Sequence, residues 1–253
     1  MSMLEPQPLL STWEAPKILI FGPPGVGKSV LAAQAPRPTL IIDYDVMGVN
    51  YVLNARDPDG SPVVSPDKVH VLRTPSVADL EILVAVLRKS GHERFNSVVL
   101  DGITSMQMYH RESILGTKLQ ASRQDFGTNT EWVRRIVKTL CNCKMTVVFT
   151  AGDAQEADDG VLQSSPAMTP ALRTAVEWML PVLCYLDAET VVDDTGKVTS
   201  TRRLLCVKTS TVRAKDRTGL LQPLVINPTW ESAFGALYNR PTIEKENDSG
   251  ESE

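Results

Sequence analysis

The sequence predicts an α/β fold with a mostly parallel central sheet, flanked by helices and ending in an antiparallel edge hairpin. Three observations carry this. Short β-rich apolar runs alternate with stretches of helical spacing. A glycine-rich loop stands between the first run and the first helical stretch. Late in the chain, two strand-like segments face each other across DDTG. Alternation of this kind implies parallel strands joined by right-handed crossovers. The hairpin adds the antiparallel edge.

The elements follow in order. Lys17–Phe21 (KILIF) is apolar and stops at Gly22, and Lys28–Gln34 behind the loop is helix-like. Thr39–Asp43 (TLIID) is the second strand. Residues 54–68 carry Pro58, Gly60, Pro62 and Pro66 and read as a loop. Val69–Leu72 is the third strand. In Val77–Lys89 the apolar residues fall at 77, 80, 83, 84 and 87, a helical spacing. Ser97–Asp101 (SVVLD) is the fourth strand, helices near 103–115 and 129–142 follow, and Met145–Thr150 is the fifth strand. A long loop over 152–168 leads to a helix near 171–180 and a strand at Val182–Leu186. The hairpin spans 188–207 and turns at Asp193–Gly196. A basic loop at 208–219, a strand near 223–226 and a short helix near 230–238 complete the chain. No repeat or linker divides it, so the expected organisation is a short extension over 1–16, one domain over 17–240 and an acidic tail over 241–253.

Composition bounds the function. Of 253 residues 42% are hydrophobic and 22% charged, which suits a soluble globular fold. The net charge of −4 speaks, at face value, against nucleic-acid binding. Residues 244–253 (EKENDSGESE) hold five acids and one Lys, however, so the whole surplus lies in a tail that reads as disordered. The remaining body is neutral. No apolar run approaches the roughly 18–20 residues of a membrane span. The N-terminus lacks the basic start and apolar core of a signal peptide. A cytoplasmic protein without membrane contact is expected. Cys141, Cys143, Cys184 and Cys206 form no CxxC pair and no histidine lies near them, so buried thiols are expected rather than zinc.

Gly22-Pro23-Pro24-Gly25-Val26-Gly27-Lys28-Ser29 fits G-x-x-x-x-G-K-[ST] between a strand and a helix. The glycines let the backbone curl so that successive N–H groups face a phosphate. The helix start adds its positive end. Lys28 reaches the β- and γ-phosphates, and the Ser29 hydroxyl ligates Mg²⁺. A carboxylate at the end of a parallel strand must complete the Mg²⁺ site, and Asp101 suits that role. Hydrolysis also needs a group that orients or deprotonates water. Asp43 and Asp45 leave the second strand at the carboxyl edge where ligands bind. Asp45 is the candidate base and Asp43 a supporting group. Thr150, at the end of the fifth strand, is placed to sense the γ-phosphate.

With these pieces in order, the chain resembles RecA-like P-loop ATPases. Within them it is similar to the phage-encoded AAA-type NTP-binding proteins that include single-strand-annealing recombination proteins. The resemblance rests on GPPGVGKS (22–29), IIDYDVMG (41–48), SVVLDGITS (97–105), FGTNTEWVRRI (126–136), VVFTAGD (147–153) and VKTSTVRAKDRTG (207–219). It implies ATP and Mg²⁺ as cofactors, with Asp43 and Asp45 at the family's D-x-E position and Asp101 as the Mg²⁺ carboxylate. It further implies that Lys215 and Arg217 reach a neighbouring subunit's γ-phosphate, which requires a ring or filament. The family's T-x-H after the fifth strand is replaced here by Thr150-Ala151-Gly152.

In such proteins two loops face DNA. The first falls near 116–130, where Lys118, Arg123 and Phe126 suit phosphate contact and base stacking. The second falls near 152–168 with Asp153, Glu156, Asp158 and Asp159, acids that hold a metal or face away. The strongest basic stretch is 202–217, with Arg202, Arg203, Lys208, Arg213, Lys215 and Arg217. Arg202, Arg203 and Arg213 join the DNA candidates. The expected function is a Mg²⁺-dependent ATPase that oligomerises and binds single-stranded DNA in annealing or strand exchange. The acidic tail is then a handle for a single-strand-binding or recombination partner. A nucleotide-gated assembly or adaptor module with little turnover and a P-loop kinase remain alternatives. A helicase motor has less support, because no separate N-terminal domain stands before the P-loop.

Overall fold

Strand β1 (Lys17–Phe21) is buried along its whole length, as are β2 (Thr39–Asp43), β4 (Ser97–Asp101) and β5 (Thr146–Ala151). Continuous burial is what a parallel strand covered by helices on both faces requires. The computed structural model describes residues 15–45, 48–56, 59–158, 160–192, 195–196 and 198–239. The acidic tail, nearly all of the N-terminal extension, Asp159 and the Asp193–Asp194 half of the expected turn lie outside these residues.

The main sheet runs β11–β9–β8–β1–β5–β4–β2–β3, with β3 at Val69–Arg73, β8 at Val182–Val192, β9 at Val198–Leu205 and β11 at Leu224–Ile226. The short β10 (Lys215–Asp216) pairs with β8. Strands β1 to β5 are parallel, β8 runs parallel to β1, and β9, β10 and β11 are antiparallel additions. The expected architecture is therefore present. Register sets Asp43 beside Asp101, Leu100 beside Phe149 and Ile20 beside Thr150. The carboxyl ends of β1, β2, β4 and β5 thus meet along one edge.

Alternate residues of β1 feed two cores. Leu19 and Phe21 pack with Phe149, Ile136 and Leu172 under α3 (Val77–Ser90), α5 (Arg123–Cys141) and α6 (Pro170–Met179). Ile18 and Ile20 pack on the other face with Leu31 of α1 (Lys28–Ala32) and Phe234 of α7 (Trp230–Phe234). The sheet's period of two makes this division. At the opposite edge, the buried Lys17 ammonium donates to the carbonyls of Ala15, Cys143 and Met145 at 2.8, 3.0 and 2.9 Å. The other α-helices are the short α2 (Gly48–Val52) and the longer α4 (Ile103–Leu115).

Three segments differ from the sequence expectation. Helix α5 begins at Arg123 rather than near 129, because Ser122 and Asp125 cap it reciprocally. The Ser122 hydroxyl accepts the Asp125 N–H at 3.2 Å, and Asp125 accepts the Ser122 N–H at 2.8 Å. Arg123 and Phe126 consequently sit on a helix and not on a loop. The long loop over 152–168 is largely a hairpin, β6 (Asp153–Asp158) and β7 (Val161–Pro166), in register from Asp153 with Pro166 to Asp158 with Val161. Its polar residues on both faces hide the strand period. Finally, the expected strand and hairpin arm after 181 are one strand, β8, which pairs with β1 through its first half and with β9 through its second.

The approach of β8 to the end of β1 leaves no room at Gly22. A β-carbon there would stand 1.9 Å from the Leu186 carbonyl oxygen, and φ is +153°. Gly22→Ala is expected to cost about 2 kcal/mol or more of folding stability. The urea midpoint measures this, and an unchanged midpoint would show that β8 yields freely.

Candidate functional site

The phosphate-type loop leaves β1 at Gly22. Gly25 (φ +80°) and Gly27 (φ +97°) take left-handed conformations that only glycine adopts without strain. They curl the backbone around a hollow. Pro23 and Pro24 form the outer turn, and Val26 is buried in the α1 core. The Lys28 ammonium spans the curl and donates to the carbonyls of Gly22 (2.9 Å) and Pro23 (2.7 Å). Burial lowers its pKa. The carboxylates of Asp101, Asp45 and Asp153 are near enough to oppose that shift.

Asp101 ends β4 and is buried. Burial raises its pKa, while the Thr150 and Ser29 hydroxyls and Lys28 favour the charged form. The Thr150 hydroxyl donates to Oδ1. The buried Oδ2 has no hydrogen-bond donor in good geometry among the described residues, although the Ser29 hydroxyl is near. A β-carbon on Gly48 would meet the Ser29 Oγ at 3.5 Å, the Asp101 Oδ2 at 3.7 Å and an Asp45 carboxylate oxygen at 3.7 Å. Three oxygens therefore converge on one point, and one of them is an orphaned buried acceptor. Oxygen donors with two carboxylates are what Mg²⁺ selects. Ser29 and Asp101 fit the ion expected of them.

Asp43 and Asp45 have different surroundings. Asp43 is the last residue of β2 and is 3% exposed. Its Oδ1 accepts the Asp45 N–H at 3.0 Å. Desolvation pushes its pKa up to about 6, against that hydrogen bond. Asp45 lies past the strand end and is exposed. Its N–H is also 3.2 Å from the Asp101 carbonyl, and its own carbonyl accepts the Gly48 N–H at 2.7 Å. The two acids do not share a strand face, because the strand stops between them. Asp43 holds the turn, and Asp45 is the exposed acid of the pair.

Thr150 is 2% exposed and its hydroxyl is engaged by Asp101. It holds that carboxylate instead of pointing freely toward a phosphate. Asp153, expected among four acids of a DNA-facing loop, is instead close enough to Lys28 to favour its charged form. Its Oδ2 accepts from Gln155 (3.2 Å) and Ser164 (3.4 Å), and its buried Oδ1 has no donor among the described residues. Glu156 pairs with the buried Arg173. The Asp158 side chain and Asp159 lie outside the described residues. An acid just past the strand beside β1 was the available signal for Asp153.

The basic stretch does not form one patch. Arg203 pairs with Asp187 (2.8 Å) and Glu189 (2.9 Å). Arg213 donates to Gln163 at 3.1 Å and stands 3.6 Å from Glu177. Lys215 donates to the Glu177 carbonyl, and Arg217 donates to the Trp178 carbonyl at 3.2 Å while lying over its ring. Both therefore cap the last turn of α6 in their own chain. Arg202 lies against Gly27 of the phosphate loop. Lys118 is 3.4 Å from Asp125, with 60% of its side chain exposed.

Asp43 makes stability depend on pH. Its folded-state pKa of about 6 stands above the ordinary 3.8. Such a carboxyl favours the fold while protonated; this contribution is complete below about pH 4 and is lost as pH rises through about 6. Asp43→Asn removes it while keeping an acceptor for the Asp45 N–H. Between pH 4 and 7 the variant is expected to gain about 2 kcal/mol on the wild type in urea unfolding. Parallel pH profiles would remove Asp43 from the account.

Among solved structures, the fold is similar to that of the flagellar accessory protein FlaH from Methanocaldococcus jannaschii, at a TM-score of 0.42 and 13% identity over 86% of this chain and 88% of that one. A comparison with curated proteins finds no match. The AAA-domain family matches residues 14–218, which contain every strand of the parallel sheet and the whole oxygen cluster, and the chain belongs to that family.

Proposed function

We propose that this chain is a Mg²⁺-dependent ATPase that assembles head to tail and binds single-stranded DNA to assist annealing or strand exchange. The observation that carries the ATPase is the convergence of Ser29, Asp101 and Asp45 oxygens beside the curled loop and Lys28. Loop N–H groups and Lys28 bind the triphosphate, Lys28 exchanging two carbonyls for phosphate oxygens. Ser29 and Asp101 would hold Mg²⁺, which when bound would supply charge neutralisation to the phosphates. Thr150 orients Asp101. Asp45, positioned by Asp43 through its own N–H, takes up or orients the proton of the attacking water.

The assembly and the DNA partner extend this reading. Lys215 and Arg217 sit together on the outer side of β8, a cationic pair for a neighbour's γ-phosphate. A cation supplied in trans can contribute about 10³–10⁵ in rate. Lys118, Arg123 and the 41%-exposed Phe126 gather where α4 gives way to α5, and they suit a nucleic-acid strand. The acidic tail is the handle for a protein partner.

Lys28→Ala and Asp101→Asn should each lower ATP turnover by about 10²-fold or more, read as phosphate release. Turnover at the wild-type rate in either variant would refute the site. A Lys215→Ala, Arg217→Ala double variant should lose turnover in the oligomer but keep nucleotide binding. Equal slow rates in both proteins would instead favour a nucleotide-gated assembly. Filter binding with single-stranded DNA at low salt, where phosphate contacts are strongest, tests the DNA partner. Absence of binding there would sink it.

A further inference from the structure

Residues of β9 alternate between the two faces of the sheet. Leu204, fully buried, belongs to the core that holds Val26 and Leu31 beneath the phosphate loop. Arg202, two residues earlier, projects to that same face. Leu205 packs against the other core, and Arg203 shares its side, paired there with Asp187 and Glu189. The adjacent arginines are thus divided by the sheet, one neutralised and one delivered to the loop.

The delivery is close and fixed. A β-carbon on Gly27 would lie 3.1 Å from the Arg202 Nη1 and 3.7 Å from its Cδ. The Arg202 backbone is held by both of its polar groups to one residue: its N–H donates to the Asn227 Oδ1 at 3.0 Å, and its carbonyl accepts the Asn227 N–H at 2.7 Å. Asn227 itself adopts φ +47°, a left-handed conformation that asparagine tolerates well. Arg202 as a residue is half-buried, and its guanidinium has no ion pair among the described residues. A permanent cation without an acid, set beside a loop that already carries Lys28, gains most when a polyanion occupies that loop.

We propose that Arg202 is a phosphate-contacting residue of the nucleotide site, supplied in cis by the edge hairpin. Its guanidinium donates N–H bonds to phosphate oxygens of the bound nucleoside triphosphate. This removes Arg202 from the DNA candidates and ties the β8–β9 hairpin to the loop when nucleotide is bound. The inference rests on the reading of that loop as a nucleotide site.

The experiment titrates a fluorescent ATP analogue with Mg²⁺ into wild type, Arg202→Ala, Arg202→Met, Arg202→Lys and Lys28→Ala. Inorganic tripolyphosphate serves as a competitor. Arg202→Met keeps the aliphatic stem against Gly27 and removes only the charge, so it separates binding from packing. Both neutral variants should weaken the analogue and tripolyphosphate alike by about 10–100-fold, with Arg202→Lys in between. Melting temperatures near the wild-type value show that the fold persists. Wild-type affinity in Arg202→Met, with binding lost in Lys28→Ala, overturns the role of Arg202 and leaves the site intact. Weakened ATP analogue with unchanged tripolyphosphate competition also overturns the phosphate contact. Wild-type affinity in Lys28→Ala overturns the nucleotide reading itself.

Discussion

The site depends on the parallel register of four buried strands. In a parallel sheet every carboxyl end lies on the same edge, so residues far apart in sequence meet without any local signal. The pairing of Asp43 with Asp101 and of Ile20 with Thr150 is that constraint expressed in residues. It carries Asp101 to the loop that leaves β1, and it buries the carboxylate where desolvation penalises its charge. Three features offset the penalty: the Thr150 hydroxyl, the nearby Ser29 and the Lys28 ammonium. A buried oxygen still without a donor leaves the edge fit to hold a cation.

Around this edge, antiparallel additions shape the walls. Strand β8 presses its backbone against Gly22 and continues past β1 to pair with β9. The β6–β7 hairpin turns Asp153 toward Lys28, and Arg173 anchors that hairpin through Glu156 and the Pro166 and Met168 carbonyls. Thr104, at the start of α4, donates to the Ala167 carbonyl at 2.9 Å and accepts the Gly152 N–H at 3.1 Å. The helix that follows Asp101 is therefore bonded to both ends of the hairpin. Asp153 and Glu156 thus serve electrostatics around the loop and the anchoring of the hairpin.

Much of this was legible along the chain. The four central strands stand where the apolar runs end, because a strand buried on both faces has no polar positions to blur its limits. The P-loop and Asp101 were legible for the same reason: each directly follows such a run. Helix α5 was read short because its first turns are polar, and only the Ser122–Asp125 cap marks its start. The β6–β7 hairpin was missed because its strands alternate nothing hydrophobic. The stretch 202–217 is legible as the strongest basic run, but which of its cations face the loop is not, although a period of two sets Arg202 and Arg203 on opposite faces.

The sequence by itself determined the fold class, the glycine-rich loop, the carboxylate at the end of β4 and the acid pair at the end of β2. These are local statements, set by glycine conformations and by apolar runs that end in an acid. Tertiary structure alone decided which acid is buried to brace the turn and which stays exposed, because burial separates Asp43 from Asp45 only once β2 is packed between β3 and β4. It alone divided the cations. Arg203 is neutralised across a strand pair, Lys215 and Arg217 are bonded to the end of α6, and Arg202 is delivered to Gly27. Charge in a sequence is a count, whereas charge in a fold is a set of distances, and Coulomb energy responds to the distances.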